Sequence, residues 1–320
     1  MRVLKLDPRP PAYDSVAEAT LDEAAAGDVI DDVEYADWRA ITPETPTSVP
    51  ELAFVDGVQQ VEARVSAEGE GWPTRGNIVS YAAGAICPSR RPYLHHVVVG
   101  RRVILGGGRS PATIRVVAQN GAFEYTPASS AGDDPEGLDA TLNALRAELE
   151  TEVVRKLVDE GIEMVVVDGR LPPITHTNAV GLIKTPHRVP LTKATQIDVL
   201  MSLDTGQRSP MFVRQRSDRR YYSWFVCLRK PGPYDIAASG LALFEMDDSA
   251  AESEAKRVAD LTAALLPSYA STPNRDARAP QNLLPVGQLE RDLRRRLGEP
   301  DYMRRLMTKV FMEEQPSWLQ

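Results

Sequence analysis

The sequence predicts an α/β fold in which a mixed β-sheet is flanked by helices, with an N-terminal arm before it and helices at the C-terminal end. β-rich segments with alternating apolar residues occupy most of residues 52–118. An apolar stripe with helical spacing follows between Leu138 and Val158. The uninterrupted apolar run Met164–Val167 then predicts a strand that is buried on both faces, at the centre of a sheet covered by helices.

Composition divides the chain into three regions. Residues 1–46 are predicted to form an acidic arm, because residues 1–40 contain ten acidic and four basic residues. The pair Ser15 and Glu18 forms a capping box that predicts a short helix in this arm, ending at about residue 26. A Pro/Thr-rich linker leads into the core, residues 47–270. Residues 271–320 are predicted to be a helical segment that packs on the core.

The composition also excludes several classes of protein. Hydrophobic residues make up 42% and charged residues 26% of the chain, which is ordinary for a globular protein. The two cysteines provide neither a disulfide framework nor a CxxC metal motif. No apolar run approaches the ~18 residues of a membrane helix, and the first residues lack the apolar core of a secretory signal. We therefore expect a cytoplasmic protein without a membrane partner.

Charge is distributed unevenly along the chain. The net charge of −8 argues against a protein that coats nucleic acid by charge alone. Residues 71–123 nevertheless contain seven arginines and no acid, and residues 207–230 contain seven basic residues and one acid. These segments predict a positively charged groove, although solvated strand faces would give the same pattern. The predicted DNA-binding residues are Arg214, Arg216, Arg219, Arg220 and Tyr222.

Two Asp-Gly pairs follow apolar runs that predict buried strands. They are Asp56-Gly57 and Asp168-Gly169. Each Asp-Gly predicts a turn at the tip of its strand, so that the first strand ends there and a second begins near Val58. Carboxylates at the tips of adjacent central strands can share a divalent cation of the Mg or Mn type, as two-metal phosphodiester chemistry requires. Without a bound ion, both pairs would be ordinary turns.

The predicted helix offers a third carboxylate. Helical geometry places Glu150 and Glu152 on opposite sides of the buried stripe, and Glu148 points further outward. The four histidines show no metal-binding spacing such as H-E-x-x-H, so a zinc site is not expected.

Four motifs follow one another along the chain: FVDG, a Glu in the middle of a helix, VVVDGRL and VGLIKTP. Their order resembles that of the corresponding motifs in the NurA nucleases. The resemblance extends from about residue 52 to the C-terminal helices. It implies an RNase H-like fold and a deoxyribonuclease that uses Mn²⁺ or Mg²⁺. It also implies a homodimer that works on DNA with a HerA-like hexameric ATPase, in DNA end processing or in defence.

The same resemblance assigns roles to individual residues. Asp56 and Asp168 match the metal-binding aspartates of the family. The helical acid precedes the second aspartate by somewhat under twenty residues, which favours Glu150, eighteen residues before Asp168, over Glu152. Lys184 matches the family lysine that faces the phosphates or the metal-bound water. We therefore assign Asp56, Glu150, Asp168 and Lys184 as the catalytic residues.

The chain departs from the family pattern at three places. Val58 and Arg170 replace the serines that follow the two Asp-Gly pairs. The family's last active-site residue, an Asp or His on a proline-led helix, has three possible replacements, Gln288, Glu290 and Asp292. We take Glu290 as the fourth metal ligand, beside Asp56, Glu150 and Asp168.

Two other interpretations remain open, the first favoured by the altered C-terminal motif and the second by the Asp-Gly strand tips, which can hold nucleotide phosphates. One is a catalytically weak or inactive RNase H-like adaptor subunit of the ATPase complex. The other is an ATP-binding protein of the actin and hexokinase type, which requires a longer chain and a second similar domain.

Overall fold

The computed structural model describes residues 4–6, 29–68, 73–88, 92–119, 121–175, 178–184, 190–216, 218–232, 238–272 and 279–313. The predicted capping-box helix at residues 15–26 lies outside these ranges. Within them, no helix combines the length and the apolar character needed to cross a membrane.

The described chain forms a mixed α/β structure around one large sheet. The strands are β1 (Leu4–Leu6), β2 (Val29–Ile30), β3 (Leu52–Ala67), β4 (Thr74–Cys87), β5 (Tyr93–Leu105), β6 (Ile114–Ala118), β7 (Gly121–Ser129), β8 (Met164–Asp168), β9 (Ala179–Ile183), β10 (Phe212–Arg216), β11 (Arg219–Cys227) and β12 (Leu241–Asp247). The helices are α1 (Pro135–Asp159), α2 (Ala194–Ser202), α3 (Glu252–Leu265), α4 (Leu284–Leu297) and α5 (Pro300–Glu313).

The strand order across the sheet is β2-β10-β11-β12-β9-β8-β3-β4-β5-β7-β6, and β1 pairs with β3 outside this order. Strands β3, β4 and β5 form an antiparallel meander. Helix α1 then leads to β8, which pairs parallel to β3, and β9 pairs parallel to β8. Strand β12 joins β9 in the antiparallel direction and begins a second antiparallel run through β11 and β10. The predicted central position of β8 is thus confirmed.

Helices cover both faces of the central strands. On one face, Phe54 and Val166 pack in a cluster with Leu289 and Leu293 of α4 and with residues of α3. On the other face, Val55 and Val167 pack against α1. The alternation of strand residues between the two clusters is the period-two pattern of a sheet that is buried on both sides.

The predicted turn at Asp56-Gly57 is wrong. Strand β3 continues through this pair for 16 residues, and Asp56 and Gly57 pair with Gly84 and Ala83 of β4. The long partner strand β4 explains the difference, because its ladder of hydrogen bonds runs past the point where β3 leaves β8. The second pair does form a turn, since Gly169 has a left-handed φ of 101° directly after β8.

The described part of the predicted arm lies against the body of the protein. Strand β2 extends the sheet beside β10, and the Trp38 ring packs near Phe212. Glu34 forms an ion pair with the fully buried Arg208, whose Nε also bonds Asp260 of α3. Glu34, an acid of the predicted arm, thus neutralises Arg208, one of the basic residues of the 207–230 segment.

Candidate metal centre

Asp56 and Asp168 lie side by side where two parallel strands separate. The parallel pairing of β3 with β8 runs from Leu52–Met164 to Val55–Val167, and the next residue on each strand is an aspartate. Strand β8 ends at Asp168, whereas β3 continues beside β4. By the alternation of the strands, both aspartates face α4, on the side that carries Phe54 and Val166.

Helix α4 contributes a third carboxylate. Oxygens of Asp56, Asp168 and Glu290 all lie within 4.8 Å of one another. Of the three candidates on this helix, Gln288 is exposed and Asp292 pairs with Arg295, so Glu290 is the one that reaches the aspartates. Leu289 and Leu293 fix the rotation of the helix by packing in the core beneath it.

The carboxylate of Asp56 is held in unfavourable surroundings. Its side chain is only 5% exposed, and Oδ2 is buried without a hydrogen-bond partner, while Oδ1 accepts a 2.8 Å bond from the Gly57 amide. Burial, reinforced by the negative charges of Asp168, Glu150 and Glu290, raises the pKa of Asp56 well above its usual value of 3.8. A buried charged oxygen without a partner is costly unless a cation or a proton compensates it.

The three carboxylates fit a hard divalent cation. Oxygens bound to one octahedral ion of the Mg or Mn type, at about 2.1 Å, are separated by about 3 to 4.2 Å. The three oxygens lie within 4.8 Å of one another, close enough to converge on one such ion, and the unpartnered Oδ2 of Asp56 is available as a ligand. The three side chains therefore suit an ion of this type because all of their donor atoms are carboxylate oxygens and because these oxygens lie close together.

Lys184 balances part of this negative charge. It follows β9 directly, and its ammonium group bonds Oδ2 of Asp168 and Oδ1 of Asn282, the latter at 2.7 Å. Its positive charge lowers the pKa of Asp56, although burial and the acidic neighbours outweigh this effect. Asn282, which is buried just before α4, was not identified from the sequence because a single Asn before a helix has no distinctive pattern.

Glu150 approaches the same region from the α1 side of the sheet. It is the buried acid among its neighbours, whereas Glu148 and Glu152 are exposed, and Glu152 pairs with Lys156. Its carboxylate bonds Arg146, and burial raises its pKa. It raises the pKa of Asp56 through its charge, but its carboxylate is not one of the three that converge within 4.8 Å.

Gly57 makes the close approach of Glu150 possible. A Cβ atom on Gly57 would lie 2.3 Å from Oε1 of Glu150 and 3.0 Å from Cγ of Arg146. The glycine after Asp56 is therefore required for the space that it leaves over the strand, and not for a turn.

A buried acid on β12 fixes the loop that follows Asp168. Oε1 of Glu245 accepts a 2.7 Å bond from the Leu171 amide, and Arg214 and Arg216 both pair with this carboxylate. Glu245 therefore acts as a positioning residue for the turn at Gly169. It was missed because a lone Glu inside the apolar run GLALFEM has no sequence signature.

The predicted DNA-binding arginines are engaged in ion pairs. Arg214 and Arg216 share Glu245, Arg219 pairs with Asp247, and Arg220 pairs with Asp248. These pairs offset much of the positive charge of this segment, because β12 and the residue after it supply acids that β10 and β11 lack. The positive groove stays a prediction. DNA binding by these residues stays a prediction, and Arg220, whose side chain is about half exposed, is the most accessible of the four.

The aromatic residues beside these arginines divide into two groups. Tyr221 and Trp224 are buried in the core and are not available for stacking on bases. Tyr222 is partly buried and packs on the cluster that lies beneath α3 and α4. It is the one member of this trio with a face that a base could approach.

No protein-family model matches the chain, and no curated protein matches it either.

Proposed function

We propose that the chain is a metal-dependent deoxyribonuclease that hydrolyses phosphodiester bonds with Mn²⁺ or Mg²⁺ held by Asp56, Asp168 and Glu290. The single observation that carries this proposal is the buried, unpartnered Oδ2 of Asp56 beside two further carboxylates. An isolated acid pair in a turn would face water instead. Glu150, buried next to the cluster, is the fourth acid of the site.

We also propose that the central sheet is RNase H-like. The meander β3–β4–β5, the crossover helix α1 and the parallel strands β8 and β9 carry the motifs in the order in which the NurA resemblance has them. This order puts the acid of β3, the acid of β8 and the lysine after β9 on neighbouring strands.

Each residue has a distinct task in this proposal. A bound divalent ion would polarise the phosphate and lower the pKa of a bound water. Asp56, Asp168 and Glu290 would hold the ion, and its positive charge would offset the burial and the acidic neighbours that raise the pKa of Asp56. Lys184, held by Asp168 and Asn282, presents a fixed positive charge to a phosphate oxygen. Arg146 holds Glu150 in place.

We further propose that the protein is cytoplasmic and works as a homodimer with a HerA-like hexameric ATPase that delivers DNA, in end processing or in defence. The net charge of −8 and the pairing of the β10 and β11 arginines support delivery by a partner, because this surface gives the chain little attraction of its own for DNA.

The paired arginines also favour the alternative proposal of a catalytically weak adaptor subunit. In that case the acid cluster would bind an ion that stabilises the fold, and the complex with the ATPase would form without DNA cleavage.

A cleavage assay distinguishes the two proposals. DNA would be incubated with purified protein and Mn²⁺, with and without the HerA-like ATPase and ATP. We expect cutting by the wild type, about a 1000-fold loss for Asp56→Asn, because several kcal/mol of charge stabilisation disappear, and a smaller loss for Glu150→Gln. The matched control is Glu148→Gln, an exposed acid on the same helix. Near-wild-type cutting by Asp56→Asn would contradict the nuclease, and an inactive wild type in every mixture would support the adaptor.

A further inference from the structure

A second group of metal-ligating side chains lies away from the acid cluster. Nitrogens of His95 and His96 and a carboxylate oxygen of Glu160 lie within 4.8 Å of one another. Glu160 caps the C-terminal end of α1, ten residues beyond Glu150 and so about 15 Å further along the helix axis. The cluster therefore joins strand β5 to the end of the helix that carries Glu150.

A β-bulge brings the two histidines together. Consecutive residues of a regular strand point to opposite faces of the sheet. Between the pairs Ala83–Val98 and Ala85–His95, however, β5 has two residues opposite Gly84 alone, and His96 adopts a left-handed φ of 47°. The imidazole rings consequently lie 4.1 Å apart, centroid to centroid. Such bulges redirect side chains and occur preferentially beside functional sites.

The donor atoms lie close enough together to share one tetrahedral ion. Nε2 of His95 lies 3.4 Å from Oε2 of Glu160, and Nε2 of His96 lies 2.8 Å from Oε1. Ligands about 2.05 Å from a tetrahedral zinc ion are about 3.3 Å apart. The close contact at His96 also lacks the geometry of a hydrogen bond, so its buried Nε2 is not used as an ordinary donor to Glu160.

The site is partly open to solvent, although Nε2 of His96 itself is buried. The side chains of His95, His96 and Glu160 are 30%, 19% and 44% exposed. Two imidazoles and one carboxylate suit zinc and related divalent transition metals better than Mg²⁺, which prefers oxygen ligands. Three protein ligands leave a fourth position for water.

We propose that His95, His96 and Glu160 form a second metal site, specific for a divalent transition ion of the zinc class, that ties the C-terminal end of α1 to β5. Neither histidine belongs to a metal-binding sequence motif, because the site depends on the bulge. This site is independent of the acid cluster, and it stands whether or not the chain cuts DNA.

Cobalt and zinc titrations of the full-length, metal-stripped protein test the proposal. We expect Co²⁺ to give the visible absorption of a tetrahedral site, and Zn²⁺ to abolish it by displacement. The double variant His95→Gln/His96→Gln should lose this absorption and bind Zn²⁺ at least about 100-fold more weakly at this site. Glu160→Gln, at an exposed helix cap, should also weaken binding, which covers the case in which the double variant fails to fold.

Two controls separate ligation from other effects. Asp159→Asn removes the same charge one residue away and should leave the absorption unchanged. Asp56→Asn removes one carboxylate of the acid cluster and should leave the absorption unchanged as well, so failure of this site and failure of the proposed nuclease remain distinguishable. A wild type without the cobalt absorption would overturn the proposal, and so would undiminished Zn²⁺ binding by both ligand variants.

Discussion

Asp56 illustrates how a single buried group can reveal a requirement for a cation. Its raised pKa comes from burial and from three acidic neighbours, and the charge of Lys184 opposes them. The strand residues on either side of Asp56, Phe54 and Val58, pack in the apolar core, so an apolar residue would be expected at this position on stability grounds alone. Its presence is explained if the folded protein gains an ion at this position.

The pH dependence of stability tests this environment. A folded-state pKa above the unfolded value of 3.8 contributes stability that is full below about pH 4 and is lost as the pH rises through the folded pKa. Without divalent ions, Asp56→Asn should therefore gain stability relative to the wild type from about pH 4 upward, by about 1.4 kcal/mol for each unit of pKa elevation. Denaturant unfolding at several pH values measures this difference, and parallel curves for the two proteins would contradict it.

Gly57 offers a second test at a single position. In Gly57→Ala the new methyl group must displace the Glu150 carboxylate, which is the end of a flexible side chain. We expect a change in unfolding free energy of less than about 1 kcal/mol, because alanine fits an extended strand, together with at least a tenfold loss of DNA cleavage. Gly287→Ala on α4, where a Cβ would make ordinary contacts, is the control and should cut normally. Full activity of Gly57→Ala would show that the position of Glu150 is unimportant.

Among the elements, β12 determines how the basic strands behave. Three acids neutralise the arginines of β10 and β11. Glu245 and Asp247 lie within β12, and Asp248 follows it directly. Glu245 is fully buried, so removing its charge leaves two cations without their partner, whereas the Arg220–Asp248 pair is in contact with solvent. Breaking the buried pairs of Glu245 should therefore lower the free energy of unfolding much more than breaking the Arg220–Asp248 pair.

We expect Glu245→Gln to lower the free energy of unfolding by about 3–5 kcal/mol, as for other broken buried ion pairs. Arg220→Ala should cost about 1 kcal/mol or less, because water screens this pair. Chemical denaturation of both variants measures the difference. Equal losses would mean that Glu245 does not hold the Asp168 loop in the way described.

The elements themselves were largely predictable, and the exceptions have physical causes. The apolar periodicity of α1 and the apolar run of β8 identified both elements, because their patterns reflect burial directly. The continuation of β3 through Asp56-Gly57 was not predictable, since it depends on the length of β4. Glu290 was assigned from the family resemblance, and its approach to the two aspartates depends on the rotation of α4. The convergence of His95 with His96 depends on a bulge, which no sequence pattern indicates.

The whole molecule is an acidic protein, and residues 29–41, the longer described part of its N-terminal region, lie against its body. Glu34 is bidentate on Arg208, at 2.8 and 2.9 Å, and also accepts from the Met211 amide. The ion pair raises the pKa of Arg208 and lowers that of Glu34, although burial of each group opposes these shifts. This segment therefore stabilises the sheet directly, besides any role in assembly with a second subunit or an ATPase.

Truncation separates these two roles. Deleting residues 1–40 removes Glu34, together with β2 and Trp38, and should lower the free energy of unfolding by about 3 kcal/mol or more, because the buried Arg208 loses its bidentate partner. Deleting residues 1–28 retains Glu34 and should cost clearly less. Thermal or chemical unfolding of both truncations provides the comparison, and equal stability of the two would contradict the importance of the Glu34–Arg208 pair.

The central claim is that Asp56, Asp168 and Glu290 together bind a divalent ion. The most direct measurement is anomalous X-ray diffraction from crystals of the full-length protein soaked in Mn²⁺, with Asp56→Asn crystals as the control. We expect an anomalous peak between the three carboxylates in the wild type, within ordinary bonding distance of about 2.2 Å from Oδ2 of Asp56, and no peak there in the variant. A fully soaked wild-type crystal without density between these carboxylates would contradict the account.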